Sequence, residues 1–239
     1  MKKGLNVLCA GAVKGLVLAL QPRFEAETGV ALNATFGAVG AMRDALRSSV
    51  PCDVLIVSAR MIDDLMASGE LRAGSATRIG TVQTAIAVKA GTHRPAIDSA
   101  EALKASLLEA SGLYFPDATL STAGAHVAAV LDGLGIRADL EPRLRMFANG
   151  AIAMRALADD QRADAIGCTQ ATEIRYTPGL DLVGALPAPF ALATVYSAAL
   201  ASGASDVGDA AHLLAMLGGP SSRELRLAGG FDPEPAATR

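Results

Sequence analysis

The chain has 239 residues, of which 51% are apolar, 4% aromatic and 19% charged, and it contains no Trp. That length supports one large or two small domains with a substantial core, and the composition excludes a disordered or fibrous protein. A formal net charge of −3 offers no basic stripe for nucleic acid, and no apolar run reaches the ~18–20 uncharged residues of a membrane-spanning helix.

Cys9, Cys52 and Cys168 form no C-x-x-C pair, and His93, His126 and His212 form no H-x-x-H or H-x-x-x-H pattern. The spacing supports neither a disulfide framework nor a zinc site, and no cofactor or metal is expected. All three cysteines sit in strand-like contexts and read as small buried hydrophobes.

In chain order, Leu5–Cys9 predicts a strand and Lys14–Thr28 a helix stopped by Gly29. Val30–Phe36 alternates as a strand, and Ala41–Ser48 has apolar residues at helical spacing. Asp53–Val57 is a continuous apolar strand, followed by helix Ala59–Ser68. A long alternating strand, Arg78–Lys89, opens a second set. This set holds helix Ser99–Ala110, strand Leu113–Phe115, helix Ser121–Leu134, strand Arg145–Phe147, helix Ala151–Asp159 and strand Ala165–Thr169. The apolar stretch Ala191–Ala201 then leads to helices Ala210–Leu217 and Ser221–Leu227, and "FDPEPAATR" reads as a frayed tail. The β-α alternation predicts an α/β fold with mostly parallel sheets flanked by helices.

Two long strands flanking a middle β/α block predict two lobes with a ligand cleft between them. Lobe 1 would comprise 1–81 and 196–239, and lobe 2 would comprise 82–195. The hinge strands fall near 78–89 and 191–201. Strand ends and helix N-termini converge in such a cleft.

Four segments share one design, in which a strand ends, small residues follow and a helix begins: Leu8–Gly15, Phe36–Met42, Asp117–Gly124 and Phe147–Met154. Free N–H groups and the positive dipole end favour an anion at such helix starts. Small side chains let the backbone approach it. Gly and Ala after a strand also serve ordinary turns, so the four loops together carry the expectation of a small anionic ligand.

The stretches "LNVLCAGAVKGLV…FEAETGVALNATFGAVGAM", "PCDVLIVSARMIDDL" and "ADAIGCTQATEI" appear in one order, followed by "ATVYSAALASGASDVGDAAHLLAMLGGPSSRELRLAGGF". In that order the chain resembles the molybdate-binding family of substrate-binding proteins, with the type II periplasmic-binding-protein fold, through about Phe231. The resemblance implies a two-lobed solute binder. It also implies an oxyanion site with a Ser after the first strand, a Ser after the second and a Tyr in the second lobe. Those positions fall here on Ala12, on Ala38 or Val39, and on Gln170. Backbone donors at Ala123 and near Ile152 are implied to persist. Losing two hydroxyls and a phenol would cost a buried oxyanion ~1–3 kcal/mol each, so molybdate is not the expected ligand.

What stands in their place suits an extended organic anion, a di- or tricarboxylate. Lys14 follows Ala12 and Val13 in the first helical turn, and Ser58 follows the third strand. Thr119, Ser121, Thr122, Thr169 and Gln170 offer neutral hydrogen bonds from the second lobe. Each has a plainer alternative. Lys14 suits a solvated helix face or a ligand contact. Arg43 suits a surface ion pair, and Ser121 a helix N-cap. His126 suits packing between helix and sheet, Tyr196 the hinge core, Asp53 a tie to a neighbouring loop, and Glu173 a helix-face carboxylate.

A basic start at Lys2 and Lys3 and the uncharged run Gly4–Val13 resemble a secretory signal. Lys14 interrupts that run and "LAL" before Gln21 is a poor cleavage site. Removing the stretch would also delete strand one and its loop. A cytoplasmic protein is therefore expected, with a periplasmic one as the alternative if the start is misplaced. A transporter partner is doubtful without an export signal.

Two functions follow. One is a solute binder that closes its lobes on a small organic anion. The other is a cofactor-independent isomerase in the same cleft, because this branch is similar to aconitate isomerase. Such an enzyme needs a base for a proton α to a carboxylate, a role that Lys14, desolvated in a closed cleft, would fill. A ligand-sensing regulator has less support, since no helix-turn-helix accompanies the domain.

Overall fold

The computed structural model describes residues 4–232. The basic start at Lys2 and Lys3 and the tail from residue 233 lie outside the described residues.

The chain begins with β1 (Leu5–Ala10), a 3-10 turn (Gly11–Val13) and α1 (Lys14–Thr28). Next come β2 (Leu32–Gly37), α2 (Val39–Arg47), β3 (Val54–Ser58), α3 (Ala59–Ala67) and the long β4 (Thr77–Lys89). The middle holds α4 (Ala100–Glu109), β5 (Leu113–Pro116), α5 (Thr122–Leu134), α6 (Arg137–Leu140) and a 3-10 turn (Glu141–Arg143). It continues through β6 (Leu144–Phe147), α7 (Gly150–Asp159), β7 (Ile166–Gln170), α8 (Ala171–Tyr176) and β8 (Leu180–Ala185). The chain closes with β9 (Ala193–Leu200), α9 (Val207–Gly218), a 3-10 turn (Pro220–Ser222) and α10 (Arg223–Gly229).

These elements form two compact units, 1–82 with 194–239, and 83–193. In unit 1, β2, β1 and β3 run parallel and β9 returns antiparallel beside β3. α1 buries Leu16, Val17, Leu20 and Phe24 on one stripe, the helical spacing of an apolar face. Gly29 ends it in the left-handed region at φ 68°, where glycine carries no Cβ penalty. Buried Asp53 accepts from the Asn6 N–H, Asn6 Nδ2, the Ser205 N–H and Ser205 Oγ, so it ties β1 and the β9–α9 loop to the head of β3.

In unit 2, β6, β5 and β7 run parallel, and β4 pairs antiparallel with both β7 and β8. Ile86, Leu103, Phe115, Val127, Leu131 and Cys168 lie in its core. Periodicity does not reveal α6, α8 or β8. α6 has only four residues and α8 six, while Asp181 and Gly184 interrupt the half-buried β8.

Cys9 and Cys168 are buried within strands, whereas Cys52 is half-buried in the loop before β3, outside any strand. Burial pushes the Cys52 thiol up to about 12.

Candidate functional site

The parallel register of unit 1 sets Ala10 beside Gly37 and Cys9 beside Ile56, so β1, β2 and β3 end along one edge. A helix starts immediately after each. The positions that begin them, Ala10 for the 3-10 turn that runs into α1, Ala38 for α2 and Ser58 for α3, make no side-chain capping bond. First-turn N–H groups have no intrahelical acceptor, so this edge presents donors and positive dipole ends.

All six residues expected here for a ligand come together on that edge. Ala12, Val13, Ala38 and Val39 are buried, and Lys14 and Ser58 are half-buried. Lys14 Nζ lies 5.5 Å from the centre of the Phe36 ring, a cation–π distance. Arg43 pairs with Asp44 at 2.8 Å. Tyr196 is buried on β9 opposite Ser58.

Unit 2 repeats the design, with β5, β6 and β7 ending where α5, α7 and α8 begin. Here side chains take some of the donors. Asp117 Oδ1 accepts from the N–H groups of Thr119 and Leu120 at 2.8 and 2.7 Å, which folds the loop before α5. Ser121 Oγ accepts from the Gly124 N–H at 3.3 Å, so the hydroxyl caps the helix. The N–H groups of Thr122 and Ala123, before it in the first turn, have no intrahelical acceptor. Gly124 is required because a Cβ would overlap the Pro116 and Asp117 carbonyls.

At α7 the Ile152 N–H, expected to serve a ligand, donates to Asn149 Oδ1 at 3.0 Å, and the Ile152 side chain is exposed. The residue that sequence reasoning misplaced is Glu173, which is buried rather than solvated on a helix face. Its carboxylate accepts from Thr169 Oγ1 at 2.6 Å and from the N–H groups of Gln170 and Ala151. Burial nevertheless pushes the carboxyl up to about 7, because desolvation of the charge outweighs three hydrogen bonds to it. The Thr169/Glu173 spacing, four residues apart across the end of β7, is the signal that could have found it.

Thr169 and Gln170 are buried beside Glu173, and Gln170 lies opposite Thr84 in the β4–β7 register. Buried Thr84 Oγ1 and Thr172 Oγ1 have no hydrogen-bond partner among the described residues. His126 leaves this set, since its Nε2 bonds the Phe190 carbonyl at 2.7 Å. The half-buried ring thereby pins the loop before β9 to α5.

A cavity of about 630 Å³ in unit 2 is lined by Val88, Thr92, Ala105, Glu109, Asp164 and Ile166 among others, and by none of the expected site residues. Among the described residues no helix is long and apolar enough to cross a membrane, and no group of His, Cys, Asp and Glu is placed to hold a metal ion.

Comparison with known proteins agrees with this architecture. Aconitate isomerase of a Pseudomonas species is 28% identical over 241 residues, covering 97% of this chain and 88% of that protein. The periplasmic molybdate-binding protein of Azotobacter vinelandii superposes with a TM-score of 0.79 at 17% identity, over 97% of this chain and all of that one. The sulfate-binding protein SubI of Mycobacterium tuberculosis gives 0.75 at 17% identity, over 99% of this chain and 88% of that one. The family of bacterial extracellular solute-binding proteins matches residues 5–232. The α/β fold expected from the molybdate-binder resemblance is therefore the fold of the chain, and the chain belongs to that solute-binding family.

Proposed function

We propose that the protein captures a small organic di- or tricarboxylate through the helix starts on its two strand edges. The observation that carries this is the make-up of the unit 1 edge. Three helix starts without capping side chains lie there, with Ala12 and Ala38 or Val39 where the resemblance implies serines and the charge of Lys14 beside them. Backbone donors and one cation suit a carboxylate. A dry tetrahedral oxyanion stripped of its hydroxyl donors would lose ~1–3 kcal/mol for each. Ser58 adds a hydroxyl on the same edge, and Ser121, Thr122, Ala123 and Gln170 supply the second set, with the Thr169 hydroxyl committed to Glu173 beside them. The likeness to aconitate isomerase supports a carboxylate. The family's extracellular character favours the periplasmic alternative over the cytoplasmic expectation.

Calorimetric titration with trans-aconitate, citrate, sulfate and molybdate tests the proposal. Tighter binding of the carboxylates is expected, and preference for molybdate or sulfate overturns it.

A second reading, favoured by the same relative, is cofactor-independent isomerisation of an aconitate-like substrate. A base takes a proton from the carbon α to a carboxylate, the electron pair is shared across the allylic carboxylate, and a proton returns at the far end as the double bond moves. Lys14 is the candidate proton carrier. Incubation with cis-aconitate in deuterated water, followed by NMR, should show the trans isomer with deuterium at the reprotonated carbon. Unchanged substrate alongside tight binding leaves the binder alone.

A further inference from the structure

Asp53 and Glu173 are the buried acidic side chains among the described residues, and neither has an ion-pair partner. Asp53 fastens two loops. Glu173 does something else, because it sits on the first turn of α7, at the edge where the proposed unit 2 donors lie.

A ten-residue helix such as α7 presents partial positive charge at its start, and the Glu173 carboxylate already holds it through the Ala151 N–H. Gly150 shows how closely the two elements meet. A Cβ there would overlap both Glu173 Oε2 and Thr169 Oγ1. α8 packs on α7, β7 and β8. The titratable groups these elements carry are Arg155 and Asp159, Cys168, Arg175 and Tyr176, and Asp181. Arg155, Asp159, Arg175 and Tyr176 are exposed, Asp181 is half-buried, and none pairs with Glu173. The Cys168 thiol, pushed up to about 12 by burial, stays neutral. Among the described residues, N–H and hydroxyl dipoles balance the charge of Glu173.

A ligand carboxylate arriving at this edge meets a resident one. Two like charges in a poorly solvated place repel strongly, and such pairs resolve the conflict by holding a proton. We infer that Glu173 makes anion capture proton-linked, so that the ligand binds together with one proton taken from solvent by the Glu173 carboxyl. Thr169 Oγ then turns from donor to acceptor for that proton. The raised titration of the free carboxyl, near 7, puts this uptake at neutral pH. The inference rests on the carboxylate reading above and adds its regulation: affinity falls as the medium turns alkaline.

The test titrates trans-aconitate into the full chain and into Glu173→Gln at about pH 6 and about pH 8, in buffers of different ionisation enthalpy. Wild-type affinity should fall about tenfold more than that of the variant, with up to one extra proton taken up, the limit for one linked group. The ligand's own titration is common to both proteins and cancels in the comparison. Equal pH dependence in the two overturns the linkage and leaves the carboxylate reading standing. No binding by either overturns both.

Should Glu173→Gln fail to fold, Thr169→Val removes one bond to the charged form and should move the wild-type pH window upward. Carboxyl carbon NMR of the wild type gives a ligand-independent check. The Glu173 midpoint should lie near 7 and rise with trans-aconitate. A midpoint in the ordinary carboxylate range, or one that bound ligand does not move, overturns the inference.

Discussion

A β-carbon on Gly150 would occupy the same space as Glu173 Oε2, so the first residue of α7 is glycine because the carboxylate of α8 fills its side-chain place. In an open helix Gly→Ala stabilises by about 1 kcal/mol. Here Gly150→Ala should instead destabilise by ~1–3 kcal/mol through overpacking, as read by urea denaturation. A stabilised variant would show that the carboxylate does not lie where α7 begins.

Glu173 should also shape stability against pH. Its folded titration lies above the ordinary Glu value of 4.5, near 7. Its contribution is therefore full below about 4.5 and is lost as pH rises through about 7, a change on the order of 3 kcal/mol. The Glu173→Gln chain should show no such decline across this window. Denaturant midpoints of both proteins from acid to mildly alkaline pH measure the difference.

Ala12 and either Ala38 or Val39 stand where the molybdate-binder resemblance implies hydroxyls, and Ala38 is the smaller change to serine. The double variant Ala12→Ser, Ala38→Ser should raise affinity for molybdate at least tenfold, since each new donor to a charged oxygen is worth ~1–3 kcal/mol. Equilibrium dialysis with molybdate reads the gain. No gain would mean that the unit 1 edge does not contact the ligand.

Lys14 contributes the charge on that edge. Lys14→Gln should weaken trans-aconitate binding about tenfold and flatten its salt dependence, because it removes a charge–charge attraction that salt screens. Unchanged affinity would return Lys14 to the role of a solvated side chain stacked on Phe36.

Buried Asp53 accepts four hydrogen bonds from Asn6 and Ser205. Burial works against its charged form, but these bonds outweigh it and hold the carboxyl below its ordinary value. Asp53→Ala should cost ~2–4 kcal/mol, since buried donors lose their acceptor. The Asp53 contribution should fade as pH falls through the carboxylate range.

The helices and strands were legible wherever apolar spacing and stop signals agreed, as along α1 from Lys14 to Gly29. The pairing of long strands and the loop-to-helix segments also placed the two strand edges. What composition and spacing concealed was polar burial. Glu173 follows a Gln and two small residues and looks solvated on a one-dimensional reading. Its burial comes from α7 lying against α8, a contact made by residues more than twenty positions apart. Asn149 shows the same limit. Nothing in "FANGAIAM" says whether its side chain or a ligand takes the Ile152 N–H, and three-dimensional geometry assigns that donor to Asn149.

Ser58 pairs with Tyr196 at the end of β3, and this has a consequence for how the chain is made. The apolar strand Val54–Ser58 emerges early in synthesis, yet its antiparallel neighbour does not exist until roughly 140 further residues have been added, on the order of ten seconds at ~5–20 residues per second. Unit 2, contiguous from Gln83 to Ala193, can be complete by then, while one side of β3 remains an open apolar edge of the kind that recruits other strands. Newborn chains are thus most vulnerable to aggregation in the interval between β3 and β9, and a chain truncated before residue 193 keeps that edge open permanently.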